Sequence, residues 1–326
     1  MDITVARGIR TIRTPGLNTW QRGKPVAGGA SRETAPQPTF PKLPKAPGDT
    51  DPYRAHATGT TYHRVMSFVW SGSAAKTRIV RSVLATAAAV PERTITVLDL
   101  GCGACRGWPA ALAAAPNLRL IGYDPSPLAV SEARNNLGGY AANLVDMEVL
   151  QAIPLQSDVV ISLSVLEHVF DRHSYLGLAR KHITSNGIFH LSYDDGHFRR
   201  ALSADRRGET WSILKEWLIN ASAASAARLG SLNRYQSRVD RGWIDAAIAR
   251  AGFDVVETRY ENLSALKDLW KLVEPSAQTD FMNDWIAYEE TLNLRYAASL
   301  PAPRAGDVVN LWQVMPTRSL VLRPAP

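Results

Sequence analysis

The 326 residues, 45% hydrophobic with nine tryptophans, suffice for one large or two small domains with a real core, and no apolar run approaches the ~20 residues of a membrane span. The net charge of +7 is uneven: residues 1–50 hold eight basic and three acidic side chains, so they carry +5 and the rest of the chain only +2. That distribution speaks against a nucleic-acid groove on the folded part, and the absence of an apolar leader predicts a cytoplasmic protein.

Residues 1–50 are rich in Pro, Gly, Thr and Arg, with Pro36, Pro38, Pro41, Pro44 and Pro47 recurring every two or three positions. They read as an extended, basic, disordered or surface-draped arm; a targeting peptide and a lid over the substrate are the other readings. Residues 51–92 read as a helical cap, aromatic at Tyr53, Tyr62, Phe68 and Trp70. A helix runs from Ser73 to Ala89, with Ile79, Val80, Val83 and Leu84 on one face and Pro91 closing it. Then comes the stretch that organises the chain. Ile95 to Leu100 is apolar and β-branched, a buried strand; Gly101-Cys102-Gly103-Ala104-Cys105-Arg106-Gly107 is a tight turn; Trp108 to Ala115 is a helix. Strand, glycine turn and helix make the first unit of a nucleotide-binding α/β sheet, because glycine lets backbone approach a ligand closely. A dinucleotide fingerprint, G-x-G-x-x-G, would need glycine at Arg106. Cys102 and Cys105 have C-x-x-C spacing but no second Cys/His pair beside them, and read as small reduced residues with no metal.

Leu118 to Asp124 is a second strand ending in an acid, placed where a carboxylate beside the glycine turn can accept both hydroxyls of a ribose. Pro125-Ser126-Pro127 opens a helix over Leu128–Asn136, capped by Ser126. Ala142 to Val145 is a weaker third strand, followed by Asp146 and Met147. Ser157 to Val169 reads as a buried strand running into a helix start, and Gly187 to Tyr193, after a Ser185-Asn186-Gly187 turn, as the fifth strand. Tyr193, Asp194 and His197 lie beyond its carboxyl end, where open α/β sheets bind ligands. Residues 198–241 form an insertion with a long helix from Glu209 to Leu229, preceded by Arg199, Arg200, Arg206 and Arg207. A helix from Trp243 to Ala251 and a sixth strand, Phe253 to Tyr260, follow. Residues 262–307 are a second helical insertion, and the last strand is Val308–Met315 or Ser319–Leu322.

The pattern D-x-G-x-G-x-x-x-G at Asp99–Gly107, with V-L-E-H-V at Val165–Val169, resembles class I S-adenosylmethionine-dependent methyltransferases of the small-molecule type. Cys105 stands where a third close glycine is usual. The resemblance covers about residues 95–260. It implies a Rossmann-like, seven-stranded, mostly parallel sheet over residues 93–326, with helical substrate-binding insertions. It implies S-adenosylmethionine as cofactor, held by Asp99 at the amino-acid end, by the turn at Gly101, Cys102, Gly103 and Gly107, and by Asp124 and Pro125 at the ribose. Asp146 and Met147 would meet the adenine, Ser162 would line the site near the sulfur, and Tyr62 would close over it from the cap. His168, Tyr193 and His197 are the catalytic candidates, an imidazole being able to take a proton from an attacking group. The expected activity is methyl transfer to an O or N atom of a small metabolite, with a homodimer as an open assembly. A protein or RNA methyltransferase docking through the arm, or a non-catalytic cofactor-binding protein, are the other readings.

Overall fold

The computed structural model describes residues 72–169, 171–195, 239, 241–296, 299–301 and 308–326. Seven strands form one sheet: β1 (Ile95–Leu100), β2 (Leu118–Tyr123), β3 (Ala142–Leu144), β4 (Ser157–Leu163), β5 (Ile183–Asp194), β6 (Phe253–Glu261) and β9 (Thr317–Pro324), in the order β3-β2-β1-β4-β5-β9-β6. The β1–β2, β1–β4, β2–β3 and β4–β5 pairings are parallel; β9 runs antiparallel to both β5 and β6. Strand order reverses between β1 and β4, so a crevice opens beyond their carboxyl ends, as it does in doubly wound sheets.

Strands buried on both faces read as continuous apolar runs, and β1, β2 and β4 do. One face carries Leu98, Leu100, Val160, Phe189 and Leu191 against α4 (Met147–Ala152), α5 (Arg172–His182) and α6 (Arg241–Arg250). The other carries Val97, Val159 and Ile161 against α1 (Ala74–Ala89), α2 (Trp108–Ala114) and α3 (Pro127–Leu137). Ile79, Val83 and Ala87 seat α1 directly on the sheet. Local chemistry sets the helix starts: Ser73, Ser126, Asp146 and Asp171 cap α1, α3, α4 and α5, each side chain accepting a backbone N–H of the first turn.

The second insertion folds as α7 (Ser264–Trp270) and α8 (Gln278–Tyr296). Trp270, Met282, Trp285 and Ile286 form a small core with Ala74 at the start of α1. Of the two candidates for the last strand, the one around Ser319–Leu322 joins the main sheet as β9. Val308–Asn310 (β8) pairs instead with Ser299–Pro301 (β7), and Leu311–Val314 forms a short helix, α9. The expected Ser185-Asn186-Gly187 turn is a bulge inside a longer β5. Ser157 and Val159 pair with Ile183 and Ile188, and the extra residues loop outward with Ser185 and Asn186 exposed. The expected Glu209–Leu229 helix, the arginines before it, and residues 1–71 lie outside the described residues.

Candidate active site

The glycine turn is held from beneath by main chain and from one side by a carboxylate. The carbonyl of Tyr123 accepts from the N–H groups of Gly101 (2.8 Å) and Cys102 (2.9 Å), which ties the turn to the end of β2. Asp124 takes the Gly103 N–H on Oδ2 and the Ser126 N–H on Oδ1, each at 2.9 Å. Asn136 of α3 donates to the carbonyl of Ala104 at 2.7 Å. The two close glycines do different work. Gly101 has φ +85°, and a Cβ there would stand 2.5 Å from Val165 Cγ2 in the loop after β4, so packing excludes a side chain. Gly103 has φ +55°, and among the described residues a Cβ there would meet nothing within 4 Å. The first glycine closes the fold and the second leaves open space above the backbone. Cys105, at the usual third position, itself adopts φ +54°.

Charge gathers at the carboxyl ends of β1 and β4. Asp99 is 2% exposed, and its Oδ2 accepts from Trp108 Nε1 at 2.8 Å. Burial pushes its carboxyl up to about 7, against the pull of the Trp108 hydrogen bond and of the Lys76 ammonium. Lys76, in the first turn of α1, is itself buried, which brings it down to about 8 although Asp99 and Glu167 favour its charge. Glu167, in the 3₁₀ turn Leu166–His168, is also pushed up to about 7 by burial. Lys76 is not singled out by the sequence patterns, and Glu167 enters them only as a member of the V-L-E-H-V run, with no role assigned. Lys76 had a signal, because with Ile79 and Val83 it shares the i, i+3, i+7 stripe that faces the sheet.

The other expected site residues fall into three groups. Asp124, Pro125, Gly101, Cys102, Gly103 and Gly107 lie together around the turn, and Gly107 is the residue before α2. Asp146 is exposed at the end of β3 and caps α4 through the Val149 N–H (2.9 Å), while Met147 packs partly against the core. His168 is buried, 3% exposed, beside Glu167. Two expectations need correction. The Ser162 hydroxyl is fully buried on the α5 face of the sheet and hydrogen-bonded to Tyr175, so it does not line the crevice. Tyr193 alternates onto that same face, and its hydroxyl accepts from Arg318 Nη1 at 2.8 Å, with Arg318 also paired to Asp245 at 2.7 Å. Burial pushes the Tyr193 phenol up, against the pull of Arg318, and the geometry commits its hydroxyl to that guanidinium and not to the crevice. Tyr62 and His197 lie outside the described residues. Among the described residues no group of three or more His, Cys, Asp or Glu could hold a metal ion, and no helix is long and apolar enough to cross a membrane.

Residues 98–189, from β1 into β5, match the family model described as a methyltransferase domain. That span is the part of the chain that is similar to methyltransferase domains. Over 161 residues, 49% of the chain, it is 28% identical to the trans-aconitate 2-methyltransferase of Methylobacterium nodulans and spans 58% of that protein. Over 187 residues, 56% of the chain, it is 25% identical to the ubiquinone biosynthesis O-methyltransferase of Rhizobium rhizogenes and spans 69% of it. Among solved structures, the complex between the Haloferax volcanii Trm112 methyltransferase activator and a methyltransferase gives a TM-score of 0.45 at 16% identity, covering 86% of this chain and 100% of that one. The turn fits a nucleotide cofactor on the geometry above: the open face of Gly103 admits a ligand against bare backbone, and the Asp124 carboxylate that holds the Gly103 and Ser126 N–H groups stands beside it.

Proposed function

We propose that the chain is an S-adenosylmethionine-dependent methyltransferase acting on an oxygen or nitrogen of a small metabolite. The observation that carries this reading is the Asp124 clamp. One carboxylate fixes the Gly103 and Ser126 N–H groups, and at Gly103 the backbone of the turn faces open space among the described residues. In this reading Asp124 also accepts the ribose hydroxyls, Gly101, Cys102, Gly103 and Gly107 form the floor, and Asp146 and Met147 meet the base. Asp99 and Lys76 face the ammonium and carboxylate of the amino-acid end. The cofactor, when bound, supplies an already activated methyl group, so the protein's main task is to hold donor and acceptor in line and keep water out. The name of the ubiquinone-pathway relative favours oxygen as the accepting atom. The division into an arm (1–50), a cap (51–92) and a catalytic domain (93–326) belongs to the same reading. So do a cytoplasmic location with reduced Cys102 and Cys105, and a small-molecule rather than a nucleic-acid substrate.

Calorimetry with S-adenosylmethionine and S-adenosylhomocysteine tests it. Asp124→Ala strips two N–H groups of a charged acceptor and removes the diol contact, so its affinity for both should fall about 100-fold. Equal binding by parent and variant, or none by the parent, sinks the proposal.

A further inference from the structure

One buried carboxylate at the crevice has no structural task that uses both of its oxygens. Glu167 is 4% exposed, in the turn that leaves β4. Its own N–H and that of Asp194, at the end of β5, hydrogen-bond to its carboxylate and so fix it across the carboxyl ends of β4 and β5. Among the described residues its Oε2 has no hydrogen-bond partner. Buried polar atoms are nearly always paired, and at the carboxyl ends of the strands, unlike in the packed polar region that holds Glu289, an unpaired carboxylate oxygen stands where a ligand can supply the partner. Lys76 and Arg172 are near enough for their charges to favour the carboxylate, and Asp99 lies at the end of the neighbouring strand. The groups facing Glu167 therefore come from three elements: Lys76 from α1, Arg172 from α5 and Asp194 from β5.

We propose that Glu167 is the proton acceptor for a hydroxyl-bearing methyl acceptor, its free Oε2 receiving the O–H proton as the methyl group is transferred. The inference rests on the methyl-transfer reading above and names its substrate class. An anionic carboxylate acceptor needs no base, whereas an alcohol or phenol is protonated at neutral pH and does. The step balances. A lone pair on the acceptor oxygen forms the new O–C bond, the C–S bond breaks with its pair staying on sulfur, and the O–H proton passes to Oε2. A phenol is the acceptor best matched, because its pKa near 10 lies within a few units of a carboxyl held up to about 7 by burial. His168, adjacent and buried, becomes a packing neighbour of the base and not the base itself.

The test uses the full chain, tritiated-methyl S-adenosylmethionine, and three acceptors: catechol, 3,4-dihydroxybenzoate and trans-aconitate. The parent should methylate the two phenols in preference to the tricarboxylate, with a rate that rises through about pH 7. Glu167→Gln should bind S-adenosylmethionine within threefold of the parent, lose turnover by 100-fold or more, and lose the pH step; Glu167→Asp should restore part of both. Independently of turnover, difference infrared spectra of the parent should show a carboxyl C=O band that titrates near neutral pH and is absent in Glu167→Gln. Preference for trans-aconitate, no methylation of either phenol, Glu167→Gln turnover within threefold of the parent, or a missing carboxyl band each overturns the inference. A parent that binds no S-adenosylmethionine overturns the methyl-transfer reading first, and the calorimetric arm separates that result from a failure of the base.

Discussion

Around the glycine turn, β1, β2 and β4 are sealed by aliphatic side chains on both faces, and the ionisable groups stand at the carboxyl ends of the strands. Across β5, β9 and β6 Phe189, Leu191, Phe253, Leu320 and Leu322 still line the core, but polar and charged groups are buried as well. Arg78 of α1 pairs with Glu261, Arg318 with Asp245 and Tyr193, and Arg241 with Asp195 (2.6 Å). Glu289 of α8 accepts from both the Leu263 N–H and Trp285 Nε1, each at 2.6 Å. Ser192 and Ser319, opposite each other in the β5–β9 ladder, are buried, and among the described residues their hydroxyls have no partner. The first region positions a ligand with backbone and shape. The second holds α7, α8 and β9 against the sheet with charge and hydrogen bonds, interactions that cost desolvation and are lost if one partner goes. Variants in the first region should therefore separate folding from binding, while variants in the second should change stability and its pH dependence and leave the cofactor alone.

The largest effect belongs to the pair Gly101→Ala and Gly103→Ala. Both sites have positive φ, which alone costs an alanine about 1–2 kcal/mol. At Gly101 the new Cβ also stands 2.5 Å from Val165 Cγ2, so the loop after β4 must move, and the total loss should reach about 3 kcal/mol. At Gly103 the Cβ meets no neighbour within 4 Å, so the protein should stay folded while S-adenosylmethionine affinity falls tenfold or more. Thermal melts and calorimetry on the two variants read this contrast; equal melting temperatures would refute the division of labour between the glycines.

The same contrast explains what could be read from the sequence. Periodicity and turn chemistry are local, so β1, the glycine turn, α1, α3 and the acid after β2 were legible: Ser73 and Ser126 cap the helices they were expected to open. Partners that meet only in three dimensions were not. Tyr193 follows an apolar run to a carboxyl end, and nothing nearby in sequence shows that Arg318, 125 residues on, occupies its hydroxyl. Tyr175 does the same to Ser162 from the next helix. Strand alternation carried a usable hint, since Ser162 and Tyr193 both fall on the face opposite Asp99 and its neighbour Val97, the face that α5 and α6 cover. The choice between Val308–Met315 and Ser319–Leu322 had no local signal at all, because both runs contain a strand and only pairing with β5 and β6 distinguishes them.

In the polar region, Glu289 should make stability depend on pH. Burial pushes its carboxyl from 4.5 up to about 7, and Glu261 pushes the same way, against the hydrogen bonds from Leu263 and Trp285. A carboxyl with a raised folded-state pKa holds its proton in the fold after the unfolded chain has released it, so the stability it contributes is complete below about pH 4.5 and is lost as pH rises to about 7. Buried His190, lowered to about 4 by burial and by Arg78, has the opposite slope between about 4 and 6.5, so the comparison must be made against a variant and not on the parent alone. Glu289→Gln keeps an acceptor for Trp285 and removes the titration. Relative to the parent it should gain roughly 2–3 kcal/mol between pH 5 and pH 8, read from urea unfolding at the two pH values, with S-adenosylmethionine affinity unchanged. A pH-independent difference between the two proteins would show that Glu289 is not the titrating group.

The smallest effect is the one that checks the correction to Tyr193. Tyr193→Phe deletes one oxygen from the Arg318–Asp245 network and leaves the aromatic ring in the core. Arg318 keeps Asp245 through two contacts, at 2.7 and 3.3 Å, so the loss should be about 1 kcal/mol of unfolding free energy, the worth of a single hydrogen bond. A phenol placed at the reaction centre would behave differently, because its removal would lower the rate of methyl transfer while barely touching stability. Turnover within twofold of the parent, at a modestly reduced unfolding midpoint, assigns Tyr193 to the scaffold. A rate loss of tenfold or more with the midpoint unmoved would return it to the chemistry and require the β5 end to rearrange when ligands bind.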